Sequence, residues 1–391
     1  MPKAFPPSEF QARLVRIKEA MIKAGIDLMF AANPASIDYV TGYNAKSYNN
    51  LQLVMIDVED EQPHWIGRFM DVGGALLLTN LDEAHVHHYR DHYVDSDERH
   101  PFDRVVEIAR EKGWSTKRIG VEKSSFFFPA KSFEVLAAGL PDAHFVDASL
   151  LINWARAVKS PAEVAYMKEA GILTDLGMQA GFALVEPGRR QNEAAAAIYH
   201  AMMAGTPEIG GFPTAQPMMP TGEEFSKTYH TSWSDQPYLS NTSTGFEFTG
   251  SRFMYSAPLA RTIYLGKPPQ DFLDKAAIMI EGLDALVDGL KEGMTEEEGE
   301  MVWREVAIKR GVDKEARIGY SVGLCYPPTW GEQTVSLRPG NRTVLRENMA
   351  IHLIPSLMVE GWGLEISETV IIGKTRSEPL SKLSREVLVK A

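Results

Sequence analysis

A chain of 391 residues, 44% hydrophobic and 24% charged, is long enough for two domains with separate cores and has the composition of a folded globular protein. Its 40 Lys and Arg against 52 Asp and Glu give a formal charge of −12, which disfavours a nucleic-acid or anionic-membrane partner. The single cysteine, Cys325, excludes an internal disulfide and a thiolate metal site.

In chain order, residues 1–10 hold two adjacent prolines and no apolar run of a signal peptide, and no stretch approaches the roughly 18 apolar residues of a membrane span. A cytoplasmic protein is expected. Residues 8–25 predict an amphipathic helix with Phe10, Leu14, Ile17, Met21 and Ile22 on one stripe, and apolar runs at Leu28–Phe30 and Leu51–Ile56 predict strands. Helix and strand then alternate to about Val146, which makes residues 1–155 an α/β domain. The histidine-dense run from Glu83 to His92 invites a zinc reading. It lacks an HExxH motif and a second ligand cluster, and on a helix His85, His88 and His92 would form a polar face.

Ser160-Pro161-Ala162-Glu163 carries a capping box with proline in the first turn, so a long helix is predicted from there to about Leu184. A second domain, residues 156–391, is expected to follow. Inside it a faint repeat appears. Val185-Glu186-Pro187-Gly188 precedes a helix ending near Gly205, and Lys291 to Thr295 precedes one ending near Gly311, with Thr295 and Glu298 forming another capping box. Two copies suit a domain with pseudo-twofold symmetry around one central site. Glu247 lies between Phe246 and Phe248 in a strand-like stretch. A carboxylate held between aromatics is partly desolvated and can serve as nucleophile or base with a raised pKa; a surface-facing Glu is the plainer alternative.

Counting back from Arg261-Thr262, the C-terminal half resembles the creatinase/methionine-aminopeptidase family, whose pita-bread domain carries metal ligands in the order Asp, Asp, His, Glu, Glu. The second Asp would fall three residues before Arg261 and the first eleven residues earlier still, where this chain has Pro258 and Glu247. Gly319 to Gly323 matches the family's Gly-His segment and puts Tyr320 at the His position, while Met349 to Pro355 and Leu364 to Thr369 put Ile354 and Ser367 at the two Glu positions. Arg156 to Glu163 also resembles the start of the catalytic domain in two-domain members. The resemblance thus implies a creatinase-type α/β domain followed by a pita-bread α+β domain, in a homodimer with sites near the interface. Glu247 alone cannot hold a divalent metal, so no metal or other cofactor is expected.

Without a Lewis acid, ordinary peptide hydrolysis is disfavoured, whereas an amidinium carbon is already cationic and electrophilic. The expected substrate is a small cationic or zwitterionic amidine, hydrolysed at a C–N bond by Glu247. The spacing of His230, 17 residues earlier, is similar to that of the family's substrate-binding His, and proton transfer to the leaving amine suits its chemistry. Period-two alternation puts His352 on the face of Ile354 and Glu365 on that of Ser367, so both should border the old metal cavity. Tyr320 can donate to developing charge. Trp330, Trp362, Phe248 and Tyr255 are candidates for an aromatic wall around a cation. Lys46, by positional analogy from a partner subunit, and Arg252 are candidate anchors for a substrate carboxylate. Two alternatives stay open: a creatinase-type amidinohydrolase, and a non-catalytic pita-bread binding module.

Overall fold

The computed structural model describes residues 3–312, 314 and 316–391, which form two units, Met1–Arg156 and Ala157–Ala391. In the first, helix α1 (Pro7–Lys23) buries Phe10, Arg13, Leu14, Ile17 and Met21. Ile22 was expected on that stripe but is 65% exposed, because one residue past Met21 is a 100° turn away from it. Helix α2 (Pro34–Thr41) is capped by the Asn33 side chain, which accepts from the Ala35 N–H, and stops at Gly42 with φ +82°.

A six-stranded mixed sheet forms the centre of this unit. It contains β1 (Leu28–Ala31), β2 (Leu53–Asp57), β3 (His64–Arg68), β4 (Val86–Tyr89), β5 (Arg118–Val121) and β6 (His144–Asp147), in the order β4-β3-β2-β1-β5-β6. Helices α3 (Val72–Leu78), α4 (Pro101–Glu111), α5 (Ala130–Gly139) and α6 (Leu151–Ala155) complete it. The core beside α4 joins Phe102, Val105 and Ile108 to Leu28, Phe30, Met55 and Ile119 of the sheet.

The histidine-dense run is not a helix. Its centre is β4, paired in parallel with β3, with short 3-10 turns on either side. Alternation therefore brings His87 to His64 at 3.0 Å, and His64 also bonds Asp60 at 2.9 Å. Burial depresses both imidazoles, His87 to about 4, which keeps them neutral. Among the described residues no cluster of His, Cys, Asp and Glu is arranged to hold a metal ion.

The second unit opens with α7 (Pro161–Ala183), where Ser160 and Glu163 make the reciprocal bonds of a capping box. Helix α8 (Gln191–Ala204) follows, then the long hairpin β7 (Thr242–Arg252) and β8 (Tyr255–Leu265). After it come α9 (Gln270–Gly289) and α10 (Glu296–Lys309), the latter capped by Thr295 and Glu298. The turns before α8 and α10 each use a glycine with left-handed φ, Gly188 at +84° and Gly293 at +89°, which is the physical content of the repeat seen in sequence.

The remaining strands are β9 (Gly319–Val322), β10 (Gly331–Leu337), β11 (Ala350–Leu353), β12 (Ser356–Val359), β13 (Trp362–Glu365), β14 (Glu368–Ile371), β15 (Glu378–Pro379) and β16 (Leu388–Lys390). They pair as β10-β9-β11-β14-β15, as the hairpin β12-β13, and as β16-β8-β7. One core packs α7 and α8 against the Phe246, Phe248, Leu259 and Ile263 face of the long hairpin, and another packs α9 and α10 against β11, β13 and β14. At about 1.5–3 kcal/mol for each fully buried large apolar side chain, these two cores fix the strands between them. Among the described residues no helix is long and apolar enough to cross a membrane.

Candidate active site

Because side chains alternate along a strand, placing Phe246 and Phe248 in the α7–α8 core turns Glu247 to the other side of β7. There it lines a cavity of about 320 Å³ together with His230, Arg317, Tyr320, Trp330 and Gln333. The segment at Ala215 to Met218 closes one side, bridged to the strand by Met218 N–H to Glu247 C=O at 2.8 Å. Burial raises the Glu247 carboxyl from 4.5 to about 8, with the Lys314 ammonium pulling the other way. Glu365 is buried too and raised well above its ordinary value, first by burial and then by the charge of Glu247. Among the described residues its Oε2 has no hydrogen-bond partner. Two carboxyls thus share one desolvated region with one ammonium, and burial lowers Lys314 in turn to about 8.

Behind the cavity wall runs a chain of short hydrogen bonds. Trp330 Nε1 meets the Tyr320 hydroxyl at 2.7 Å, that hydroxyl meets His352 Nδ1 at 2.9 Å, and His352 Nε2 meets Ser367 Oγ at 2.6 Å. Ser367 Oγ also accepts the Ala260 N–H at 2.6 Å. Burial depresses His352 to about 3, so the imidazole is neutral and carries one proton. An indole N–H can only donate, and a hydroxyl offers one proton. Either tautomer leaves one O–H over; the one that spares the fully buried Ser367 O–H has Ser367 donating to His352 Nε2 and His352 Nδ1–H donating to Tyr320, whose oxygen then accepts twice. Tyr320's own O–H is left to donate into the cavity. Burial and the nearby Glu247 charge hold this phenol well above its ordinary pKa, so it stays a donor.

The loop carrying Trp330 is pinned from below. Lys159 Nζ and Glu332 Oε2 form a fully buried ion pair at 2.6 Å, and Cys325 Sγ donates to the Trp330 carbonyl at 2.7 Å. Gln333 takes φ +60°, a strained value for a non-glycine residue, at the irregularity between Gly331 and Ser336 in the β9–β10 pairing.

Several expected site residues lie elsewhere. Phe248 is buried in the α7–α8 core. The Tyr255 hydroxyl is committed to Glu163 at 2.7 Å. Trp362 packs edge-on against Phe272 in the other core, with ring centroids 5.0 Å apart. Among the described residues these three aromatics do not line the cavity, whereas Trp330 does. Arg252 is held by Glu169 at 2.8 Å and the Gly210 carbonyl at 3.1 Å, so its guanidinium is already used. Lys46 is an exposed residue of the first unit. Sequence reasoning passed over Arg317, Lys314, Gln216 and Gln333. No motif marks them; the one signal was a pair of cations just ahead of the Gly319–Gly323 segment.

The profile of metallopeptidase family M24 matches residues 165–374, and that of the creatinase/prolidase N-terminal domain matches residues 13–158. The chain belongs to metallopeptidase family M24. Among family relatives it is 36% identical over 395 residues to an ectoine hydrolase of Halomonas elongata and 38% identical over 387 residues to the uncharacterized hydrolase/peptidase y4tM of Sinorhizobium fredii. Both alignments cover 99% of this chain and 98% of the relative. The crystal structure of a prolidase from Thermococcus sibiricus superposes with a TM-score of 0.83 at 18% identity, over 97% of this chain and 99% of that one. The M24 fold, a creatinase-type α/β domain followed by a pita-bread domain, is therefore the fold of this chain.

The family name implies metal, and the residues at the five ligand positions do not fit one. Pro258 and Ile354 have no donor atom. Ser367 Oγ is occupied by His352 and Ala260, and Tyr320 by Trp330 and His352. A divalent pair needs several carboxylate or imidazole donors converging within bonding distance, and Glu247 is the one family position that still offers an acid.

Proposed function

We propose that the chain hydrolyses the cyclic amidine ectoine to N-acetyl-2,4-diaminobutyrate, using Glu247 rather than a metal. The supporting observation is a buried carboxyl, raised to about 8, at the wall of a small polar cavity whose family metal positions hold Pro, Tyr, Ile and Ser. The similarity to the Halomonas elongata ectoine hydrolase over 98% of that enzyme supports the choice of substrate.

A protonated amidine entering the cavity brings a positive charge beside Glu247 and Glu365, which favours the ionised carboxylate that desolvation otherwise opposes. The carboxylate oxygen adds to the amidinium carbon between the two ring nitrogens, giving a tetrahedral adduct. One C–N bond then breaks as its nitrogen takes a proton, water displaces the carboxylate, and its oxygen becomes the amide oxygen. His230, an exposed residue lining the cavity, carries that proton from water to the departing amine in this reading. The Tyr320 O–H stabilises negative charge on the attacking or leaving oxygen.

Incubating chelator-treated protein with ectoine, followed by mass spectrometry of the small molecules, tests the proposal. The expected product is ectoine plus one water, formed at the same rate after chelation. No product, or activity that returns only with an added divalent metal, overturns it.

A further inference from the structure

A cavity that accepts a cationic amidine needs acid on its wall, and Glu247 meets that need, with the buried Glu365 as its charged neighbour. The same cavity also carries a cation. Arg317 lines it with Glu247, and its guanidinium lies 4.2 Å from the centre of the Tyr320 ring. That face contact fixes the plane of the guanidinium while leaving its N–H edge for another group. Among the described residues, Arg317 has no carboxylate in hydrogen-bond or ion-pair contact; its charged neighbour is another cation, Arg338. Two other cations have partners of their own. Arg252 is tied to Glu169 and Gly210, and Lys314 donates to the Arg317 carbonyl at 3.2 Å with Glu365 and Glu247 as its charged neighbours.

We propose that Arg317 is the subsite for a substrate carboxylate, so that the cavity selects zwitterions carrying an amidine and an acid a few bonds apart. The inference rests on the amidine hydrolase reading above and adds the second half of the substrate. Physically, the site is bipolar: carboxyls on the β7 and β13 strands, and a guanidinium on the turn before β9. A neutral or purely cationic amidine would leave the guanidinium unpaired and repelled by Arg338. A carboxylate accepts two parallel N–H bonds from the guanidinium edge and cancels that repulsion. Discrimination against a molecule lacking the group is expected to be about 10- to 100-fold, the range for a charged hydrogen bond left unmade. The volume of about 320 Å³ is at the small end for ligand sites and suits a single-ring zwitterion.

The test compares kcat/KM for ectoine with that for 2-methyl-1,4,5,6-tetrahydropyrimidine, the same cyclic amidine without the acid, in wild type, Arg317→Lys and Arg317→Met. Melting temperatures check that each variant is folded. Wild type is expected to prefer ectoine by about 10- to 100-fold. Arg317→Met should erase that preference mainly through KM, and Arg317→Lys should restore part of it. An undiminished preference in Arg317→Met overturns the subsite. If wild type turns over neither amidine, the amidine hydrolase reading falls instead. Arg317 is then judged by titrating acetate against Trp330 fluorescence: saturable quenching in wild type that Arg317→Met weakens at least 10-fold sustains the anion subsite, and no such difference removes it.

Discussion

Replacing Glu247 with Gln separates the electrostatic cost of the site from its chemistry. Burial puts the carboxyl at about 8 in the folded protein against 4.5 when free. Between those values the native state keeps a proton that the unfolded chain has released, so stability falls as pH rises through this window. Each pH unit inside it costs about 1.4 kcal/mol, which accumulates to roughly 3 kcal/mol by pH 7. Gln has nearly the shape of the protonated acid and does not titrate. Glu247→Gln should therefore match wild type near pH 4.5 and exceed it by roughly 3 kcal/mol at pH 7, with the gap levelling off above about pH 8. Urea unfolding at a series of pH values from 4.5 to 8.5, followed by tryptophan fluorescence, measures the difference. Glu365, raised first by burial and only then by the Glu247 charge, keeps the burial part of its downward slope in both proteins, so the difference between the two curves carries the test. A gap that does not change with pH, or a variant less stable than wild type at pH 7, would refute a buried and largely protonated Glu247. The same variant should lose amidine hydrolysis, because an amide can neither attack nor accept the proton.

Tyr320→Phe removes the proton assigned to the cavity while keeping the ring on which Arg317 rests; kcat for ectoine should drop about 100- to 1000-fold with KM little changed, and undiminished turnover would reject the donor assignment. Lys159→Met leaves Glu332 charged and buried, so urea unfolding should show a loss of about 3–5 kcal/mol, most of it recovered when Glu332→Leu is added. A Lys159→Met protein as stable as wild type would show that this pair does not hold the Trp330 loop.

Local signals proved readable where the chemistry is local. Ser160 with Glu163, and Thr295 with Glu298, form the capping boxes their spacing announces, and both glycine turns of the internal repeat adopt left-handed φ. The histidine run misled because helical spacing of His85, His88 and His92 competes with period-two alternation, and the parallel neighbour β3, far off in sequence, decided for the strand. The misplacement of Phe248 was avoidable. A residue adjacent to Glu247 on a strand faces the opposite way, so an acid turned to the cavity sends its aromatic neighbours to the core. The ring types of Trp362 and Tyr255 suit an aromatic wall, but their actual partners, Phe272 and Glu163, are 90 and 92 residues distant in sequence. Arg317 and Lys314 escaped notice because only the tertiary approach of the turn before β9 brings them to β7 and β13. No sequence spacing encodes that approach.

The hydrogen-bond chain through Tyr320, His352 and Ser367 also bears on what this protein can become. Two of its members occupy positions where relatives place metal ligands, and their polar atoms now satisfy one another. Changing Tyr320 to His strands the Trp330 N–H, and changing Ser367 to Glu strands His352 and the Ala260 N–H while adding a buried charge. Each single step back costs about 1–3 kcal/mol per orphaned group before any cation has a shell to enter. Pro258 and Ile354 must change as well. A route to a metal site thus crosses a valley of less stable intermediates, so packing by itself holds the descendants of this sequence away from one.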